Sequence, residues 1–383
     1  MTSTHGIEPV SPRAVPQLRI ELEAVARNTR MLADRSGRPV MAVVKANGFG
    51  VGAVNSARTA LANGADSAGV TSIAEALELR DAGIDSPILS WLNPVEADFA
   101  TAIARDIDLA VPSLEHLDAV TKATDTARRV ARIHLHVDVG MYRDGAPRAY
   151  WPDLFESAAA RQSHGAVVVI GVMGHLGHAE TPADPLNAIG KAAYAEALAM
   201  AEQCGIRPRI RHLAATAATL NDGQTHYDAC RVGAGLAGID PSGSVQLHQP
   251  FTLTAPIVSI RDVPDGAFVG YGRSYQTTRP SRLAQLPLGY ADGLARQASG
   301  RAEVLINGSR RRIVGRISMD QAVVDLGDTL AQPGDPAIVF GPGAGGEPTV
   351  AQWAEWANTL PHAIVTGIGE RVRRVVVSPE GDQ

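Results

Sequence analysis

Pro39-Val40-Met41-Ala42-Val43-Val44-Lys45-Ala46-Asn47-Gly48-Phe49-Gly50 is a nearly unbroken apolar run that ends on one lysine and a Gly-rich turn. Such a run, bounded by turn residues, reads as a strand buried on both faces, the parallel-sheet kind. A lysine at its C-terminal end points to where α/β folds place their active sites. The residue type adds to this. The chain holds 35 Lys plus Arg, of which only Lys45, Lys122 and Lys191 are lysines. A guanidinium stays protonated, whereas a partly buried amine can lose its proton and add to an aldehyde. Position alone also allows a strand-end lysine that snorkels to water. Lys122 and Lys191 lie in polar helical surroundings and read as surface residues.

Working outward, apolar runs alternate with amphipathic stretches from 39 to about 236. Strands are expected near 39–44, 67–71, 87–91, 107–111, 132–137, 167–173, 209–214 and 229–234. Helical spacing falls between most of them, as in Val54–Leu61, Ile73–Ala82, Leu114–Thr126 and Ala188–Gln203. Eight strand-then-helix units predict an α/β fold, an N-terminal (β/α)8 TIM-type barrel. A doubly wound sheet gives a similar local pattern, but the count of eight favours the barrel. Before it, residues 1–15 read as a loose lead-in, Leu18-Arg19-Ile20 as a short strand, and Glu21 to Leu32 as a helix.

After about 248 the texture changes. Thr252–Val263, Arg282–Leu288, Ala302–Ile306, Arg311–Ser318, Gln321–Leu326, Pro336–Phe340 and Arg371–Ser378 are strand-like, and Asn307-Gly308 is a hairpin signal. One helix is expected near 350–360. The expected domains are a barrel over 1–247 and a mainly β C-terminal domain over 248–383.

Composition narrows the function classes. The chain is 45% apolar and 20% charged, with a net charge of −5, which argues against a broad nucleic-acid footprint. Cys204 and Cys230 give neither a disulfide framework nor a zinc spacing. Met1 to Val10 lack an apolar signal core, and no run approaches the roughly 18 apolar residues a membrane span needs. A cytoplasmic enzyme is expected.

An aldehyde cofactor on Lys45 would need a phosphate cradle. Barrels place one on the loops after strands seven and eight, here Ala214-Ala215-Thr216-Ala217 and Arg231-Val232-Gly233-Ala234-Gly235. Gly233 to Gly238 also spells the dinucleotide fingerprint, but it comes late and no clear βαβ unit surrounds it.

Ala42-Val43-Val44-Lys45-Ala46-Asn47 with Gly50-x-Gly52 resembles the pyridoxal-phosphate lysine motif of the alanine racemase family, and the resemblance runs to the C-terminus. It implies a PLP-dependent isomerase that interconverts L- and D-alanine, or a similar small amino acid. Lys45 would carry pyridoxal 5'-phosphate. Thr216, Gly233 and Ala234 match the phosphate site, Arg231 the arginine facing the pyridine nitrogen, and His175 the histidine packed on the ring. An arginine leaves that nitrogen unprotonated, so the ring is a weaker electron sink suited to proton exchange.

Racemisation needs a proton removed from one face and returned to the other, so two bases are expected. Lys45 is one. Tyr271, in Val269-Gly270-Tyr271-Gly272-Arg273-Ser274-Tyr275, matches the family's catalytic tyrosine; from sequence alone Tyr275 rivals it. Tyrosine is a poor base at neutral pH unless positive charge lies near. Arg143 matches the carboxylate-side arginine, Met319 the residue whose N–H meets the carboxylate, and Tyr290 the other marked tyrosine. The resemblance also implies a homodimer in which the tyrosine comes from the partner subunit. No metal is implied.

Several pocket positions depart from the family. Phe49 and His362 stand where tyrosines are usual, and His136 where many members carry a carbamylated lysine that orients Arg143. Ala215 replaces an asparagine, Tyr142 a glycine and Val51 a histidine. These changes leave room for a divergent PLP enzyme of specialised metabolism: another racemase, an aldolase or a decarboxylase. Two readings compete from outside. His134-x-His136-x-Asp138 with His175-x-x-His178 could serve a metal-dependent barrel hydrolase. A PLP-binding module without turnover is the other, though such modules lack a β domain.

Overall fold

The computed structural model describes residues 15–378; the lead-in read over 1–15 lies outside these apart from Val15. The chain divides into two units. One is Glu23–His248; the other joins the residues up to Leu22, including strand β1 (Gln17–Glu21), to those from Gln249 onward.

The first unit is built on eight parallel strands: β2 (Val40–Val43), β3 (Ser67–Val70), β4 (Ile88–Ser90), β5 (Ile107–Val111), β6 (Ala131–His136), β7 (Val167–Met173), β8 (Ile210–His212) and β9 (Cys230–Val232). Each pairs with the next from β2 to β8, and β9 pairs with β2. An isolated parallel bridge between Ala215 and Arg231, with the Arg231 N–H donating to Ala214 O at 2.9 Å, joins the remaining edges. The ring therefore closes, and no strand edge stays open. β2 is buried at every residue, as its unbroken apolar run requires.

Helices return the chain between strands, among them Ala53–Leu61, Ile73–Asp81, Leu114–Ala127, Trp151–Ser163 and Leu186–Gln203. Two of these starts are capped by side chains: Ser72 forms a capping box with Glu75, and Ser113 Oγ accepts the His116 N–H. Met41, Leu89, Ala110 and Met173 form an apolar cluster with Trp91 against it. Beside these apolar residues the unit buries an uncommon polar set: Asp108, His134, His136, His212 and Arg231.

The second unit is mainly β. Its nine-stranded sheet holds β1 beside β10 (Phe251–Pro256), antiparallel, and β19 (Arg373–Val377), parallel. The first described strand thus lies with the C-terminal residues, whereas the expected boundary counted it with the barrel. The stretch read as one strand over 252–263 is two, because β10 pairs with β18 (Pro336–Phe340) while β11 (Ser259–Val263) pairs with β14 (Ser281–Leu286). Pro256, which lacks an N–H, ends the first of them. A short pair, β12 (Phe268–Val269) and β13 (Tyr275–Gln276), had no counterpart in the sequence reading. Asn307-Gly308 turns between β15 (Glu303–Ile306) and β16 (Ser309–Val314) with both φ positive, at 46° and 77°, the tight hairpin expected. The remaining strand of this sheet is β17 (Ala322–Asp325). Helices Val350–Ala357 and Pro361–Thr366 follow.

Candidate active site

Lys45 follows β2 after a single residue, Val44. After it the backbone turns left-handed for three successive residues, Ala46, Asn47 and Gly48, with φ of 52°, 54° and 61°. Phe49 also has a positive φ, 56°. Left-handed backbone is unfavourable for residues with a Cβ, so neighbours must hold it. The Ala46 N–H donates to Glu75 Oε1 at 2.8 Å, and Asn47 Oδ1 accepts the Ala53 N–H at 3.0 Å. The turn leaves the Lys45 amine half-buried, 5.9 Å from the centre of the Trp91 ring. Burial, followed by the charge of Arg143, lowers its pKa below the usual lysine range; Glu75 opposes this. An amine so placed is closer to its nucleophilic form than a surface lysine.

The loops after β8 and β9 meet at Thr216. Its Oγ1 accepts the N–H of Gly233 at 3.3 Å and of Gly235 at 3.2 Å. Gly233 has no room for a side chain: a Cβ there would lie 2.8 Å from the Phe49 ring. Amide N–H groups and a hydroxyl thus gather at one turn, the donor set that a phosphate takes. Phe49 is buried against that turn, filling space without adding a hydroxyl.

Arg231 is buried and spread over several acceptors. Nη1 donates to His212 O at 2.6 Å and to His212 Nδ1 at 3.2 Å, and Nη2 donates to Gly174 O at 2.6 Å. Nη2 also lies 3.4 Å from His175 Nδ1. Burial lowers the guanidinium to about 10, which leaves it charged at neutral pH. His175 is pushed down to about 3 by burial and then by the charges of Arg231 and Arg143. Arg143 is exposed, and its charge also acts on Lys45 and His136. His136 is buried and lies 3.6 Å from Asp144; burial outweighs that carboxylate and takes it down to about 4.

The structure therefore gathers Lys45, Arg143, His175, Thr216, Arg231, Gly233 and Ala234 in the barrel unit. Tyr271, Tyr290 and Met319 belong to the other unit. Tyr271 is 71% exposed, Met319 53% and Tyr290 42%. Tyr275 packs with Val269, Leu283 and Val314, and burial and Asp325 raise its pKa. Sequence reading missed Glu75, Trp91, Asp108 and His212. Glu75 alone had a local signal, the capping box with Ser72.

The residues of the metal reading are engaged elsewhere. His134 contacts His212 and Asp108, and Asp138 Oδ1 accepts the amides of Gly140, Met141 and Tyr142. Among the described residues no group of three or more His, Cys, Asp or Glu side chains is placed to hold a metal ion.

A family model for the alanine racemase N-terminal domain matches residues 20–241, and one for the C-terminal domain matches residues 250–376. The chain belongs to the alanine racemase family. An alanine racemase of Thermobifida fusca is 43% identical over 94% of this chain and 97% of its own. One of Mycolicibacterium smegmatis is 42% identical over the full length of both. The crystal structure of alanine racemase from D-cycloserine-producing Streptomyces lavendulae superposes with a TM-score of 0.93 at 42% identity, covering 96% of this chain and 98% of the other. That of Bartonella henselae, with covalently bound pyridoxal phosphate, gives 0.87 at 26% identity, covering 95% and 100%.

The alanine racemase family depends on pyridoxal 5'-phosphate, and the residues here fit it. A pKa-lowered amine, an amide-and-hydroxyl turn for the phosphate and a buried guanidinium beside an imidazole lie in one unit.

Proposed function

We propose that the protein is a PLP-dependent racemase that interconverts L- and D-alanine by proton transfer at Cα between two bases. The barrel, taken as 1–247, carries the cofactor site, and the β domain over 248–383 supplies the second base. The cofactor, when bound, supplies an aldehyde for the amine and a conjugated ring that accepts the electron pair left at Cα.

Lys45 Nζ serves one face. Its half-burial and the nearby Arg143 charge favour the neutral amine that takes a proton. Tyr271 Oη serves the opposite face; it is the open tyrosine, whereas Tyr275 is packed. Thr216, Gly233 and Ala234 would hold the phosphate. Arg231, a permanent donor, would face the ring nitrogen and leave it unprotonated. His175, beside Arg231, would pack on the ring. Arg143, the Met319 N–H and Tyr290 bind the substrate carboxylate.

Tyr271, Tyr290 and Met319 are all exposed in the single chain. This supports a homodimer with shared sites, in which the β domain of one subunit completes the barrel of its partner. A cytoplasmic location follows the same reading; among the described residues no helix is long and apolar enough to cross a membrane.

The observation that carries the proposal is the pKa-lowered Lys45 amine on its braced turn, in a chain matched end to end by alanine racemases. Incubation with PLP and a panel of L-amino acids in D2O, followed by chiral analysis, tests it. Deuterium at Cα with racemised alanine is expected. Cα–Cβ cleavage, CO2 release or no exchange at all would contradict it.

A further inference from the structure

His134 was a metal-ligand candidate, and the structure gives it another use. His134 Nδ1 lies 2.9 Å from His212 Nε2, and His134 Nε2 lies 3.4 Å from Asp108 Oδ2. His212 Nδ1 lies 3.2 Å from Arg231 Nη1. All four residues are buried. At the far end Arg132, partly exposed, pairs with Asp108 through Nε–Oδ1 at 2.8 Å and Nη2–Oδ2 at 3.1 Å. The backbone is shaped around this line. The β6–β7 register shifts between Ile133 and His134, and a Cβ at Gly171 would lie 2.4 Å from His134 Nδ1.

The two charged ends set its direction. A guanidinium only donates and a carboxylate only accepts. Arg231 donates to His212 Nδ1, so the His212 proton is on Nε2. That N–H points at His134 Nδ1, which accepts it. The His134 proton is then on Nε2 and goes to Asp108. A proton on His134 Nδ1 would reverse His212 and set two N–H groups face to face at Arg231. The arrangement admits one tautomer at each ring.

We propose that Asp108 and His134 are positioning residues for Arg231: they fix His212 as an Nδ1 acceptor, and so hold the guanidinium in its place. Neither touches substrate or cofactor. The inference rests on the reading of Arg231 as the ring-facing residue. Its consequence is that a carboxylate on β5 sets the orientation of a cation on β9 through two buried imidazoles.

Asp108→Asn tests this, because the carboxamide has one acceptor oxygen. If that oxygen serves Arg132, the amide N–H2 faces His134 and reverses both tautomers. If it serves His134, the amide opposes Arg132, the less buried partner. In the PLP-loaded variant we expect a shifted visible absorption maximum of the bound cofactor. We also expect a loss of about ten-fold in kcat with KM changed less than about two-fold.

Arg132→Met removes the outer partner only and should keep both the band and kcat, whatever it costs in Tm. Asp108→Leu, which offers His134 no acceptor in any orientation, should give the same effects, and an unchanged band and kcat in both variants would overturn the proposal. So would an Arg132→Met variant that reproduces the Asp108→Asn effects. Should Asp108→Asn fail to fold, 15N-histidine NMR of the unaltered chain decides. His212 protonated at Nε2 and bare at Nδ1 is expected, and the opposite tautomer overturns it. Failure of the wild-type protein to bind PLP or racemise would sink the proposed function instead, and the tautomer measurement would still stand on its own.

Discussion

The Ala46 N–H and the Glu75 carboxylate are hydrogen-bonded at 2.8 Å, which ties the residue after Lys45 to the next strand–helix unit. Glu75 is itself held: its Oε2 accepts the Thr71 N–H at 2.9 Å, the Thr71 hydroxyl at 2.6 Å and the Ser72 N–H at 3.3 Å. Burial pushes this carboxyl up, but those bonds and the one from Ala46 outweigh it and hold it below the usual range. One side chain thus caps a helix and braces a left-handed turn.

Replacing Glu75 should release that turn. Each lost hydrogen bond is worth about 0.5–1.5 kcal/mol, with the solvent-facing one from Ala46 at the low end. Glu75→Ala should lower Tm and reduce kcat by about ten-fold, through a Lys45 amine that is less fixed. Glu75→Gln, which keeps acceptor oxygen and shape, should lose less. Equal effects of the two in melting and steady-state kinetics would show that the brace does not matter.

The buried histidines make stability depend on pH. His136 is lowered to about 4 and His175 to about 3, from an ordinary value of about 6.5. Each folded-state pKa lies below its unfolded value, so the unfolded chain takes up protons first. Their contribution is full above about pH 6.5 and is lost as pH falls toward the folded values. His175 keeps an exposed edge, so His136 should dominate. Melting of the cofactor-free protein from about pH 7 to about pH 4 should show Tm falling, and His136→Gln should flatten that slope. A slope unaffected by the variant would remove His136 from this role.

The fold, and the place of Lys45 just after its strand, were largely legible in the sequence. The unbroken run of β2 and the turn after Lys45 are local signals, and Asn307-Gly308 is another. What stayed hidden depends on long-range pairing. β1 joins partners more than 230 residues away, and no local pattern says which sheet a five-residue strand enters. His212 is set by His134 across 78 residues of chain, and Trp91 matters only because β4 delivers it beside Lys45. Tyr271 and Tyr275 are alike in sequence and are separated only by burial, one exposed and the other packed.

Arg371 joins the two loops that carry Tyr290 and Met319. Its Nε lies 2.9 Å from Asp292 Oδ1 and its Nη1 lies 2.7 Å from Asp320 Oδ1. The loops also bond directly, Tyr290 N–H to Ser318 O at 3.0 Å and Ala291 N–H to Met319 O at 2.9 Å. Arg371→Ala leaves buried Asp292 without its cation and loosens both loops. KM for alanine should rise by about ten-fold with a smaller change in kcat, because ground-state positioning is what is lost. An unchanged KM would show that the direct bonds suffice.

Tyr271→Phe removes one hydroxyl from an exposed side chain and should leave PLP binding intact. Exchange of the Cα proton should fall by orders of magnitude in one stereochemical direction and far less in the other, measured by isotope washout from each enantiomer. Equal residual activity both ways would remove Tyr271 from the mechanism.

Of the three lysines, Lys45 alone is to carry the cofactor. Borohydride reduction of the PLP-loaded protein, followed by peptide mass mapping, tests it directly. The expected result is a single reduced adduct on Lys45, lost with the yellow colour in Lys45→Ala. An adduct on Lys122 or Lys191, or full racemase activity with Lys45 unmodified, would contradict it.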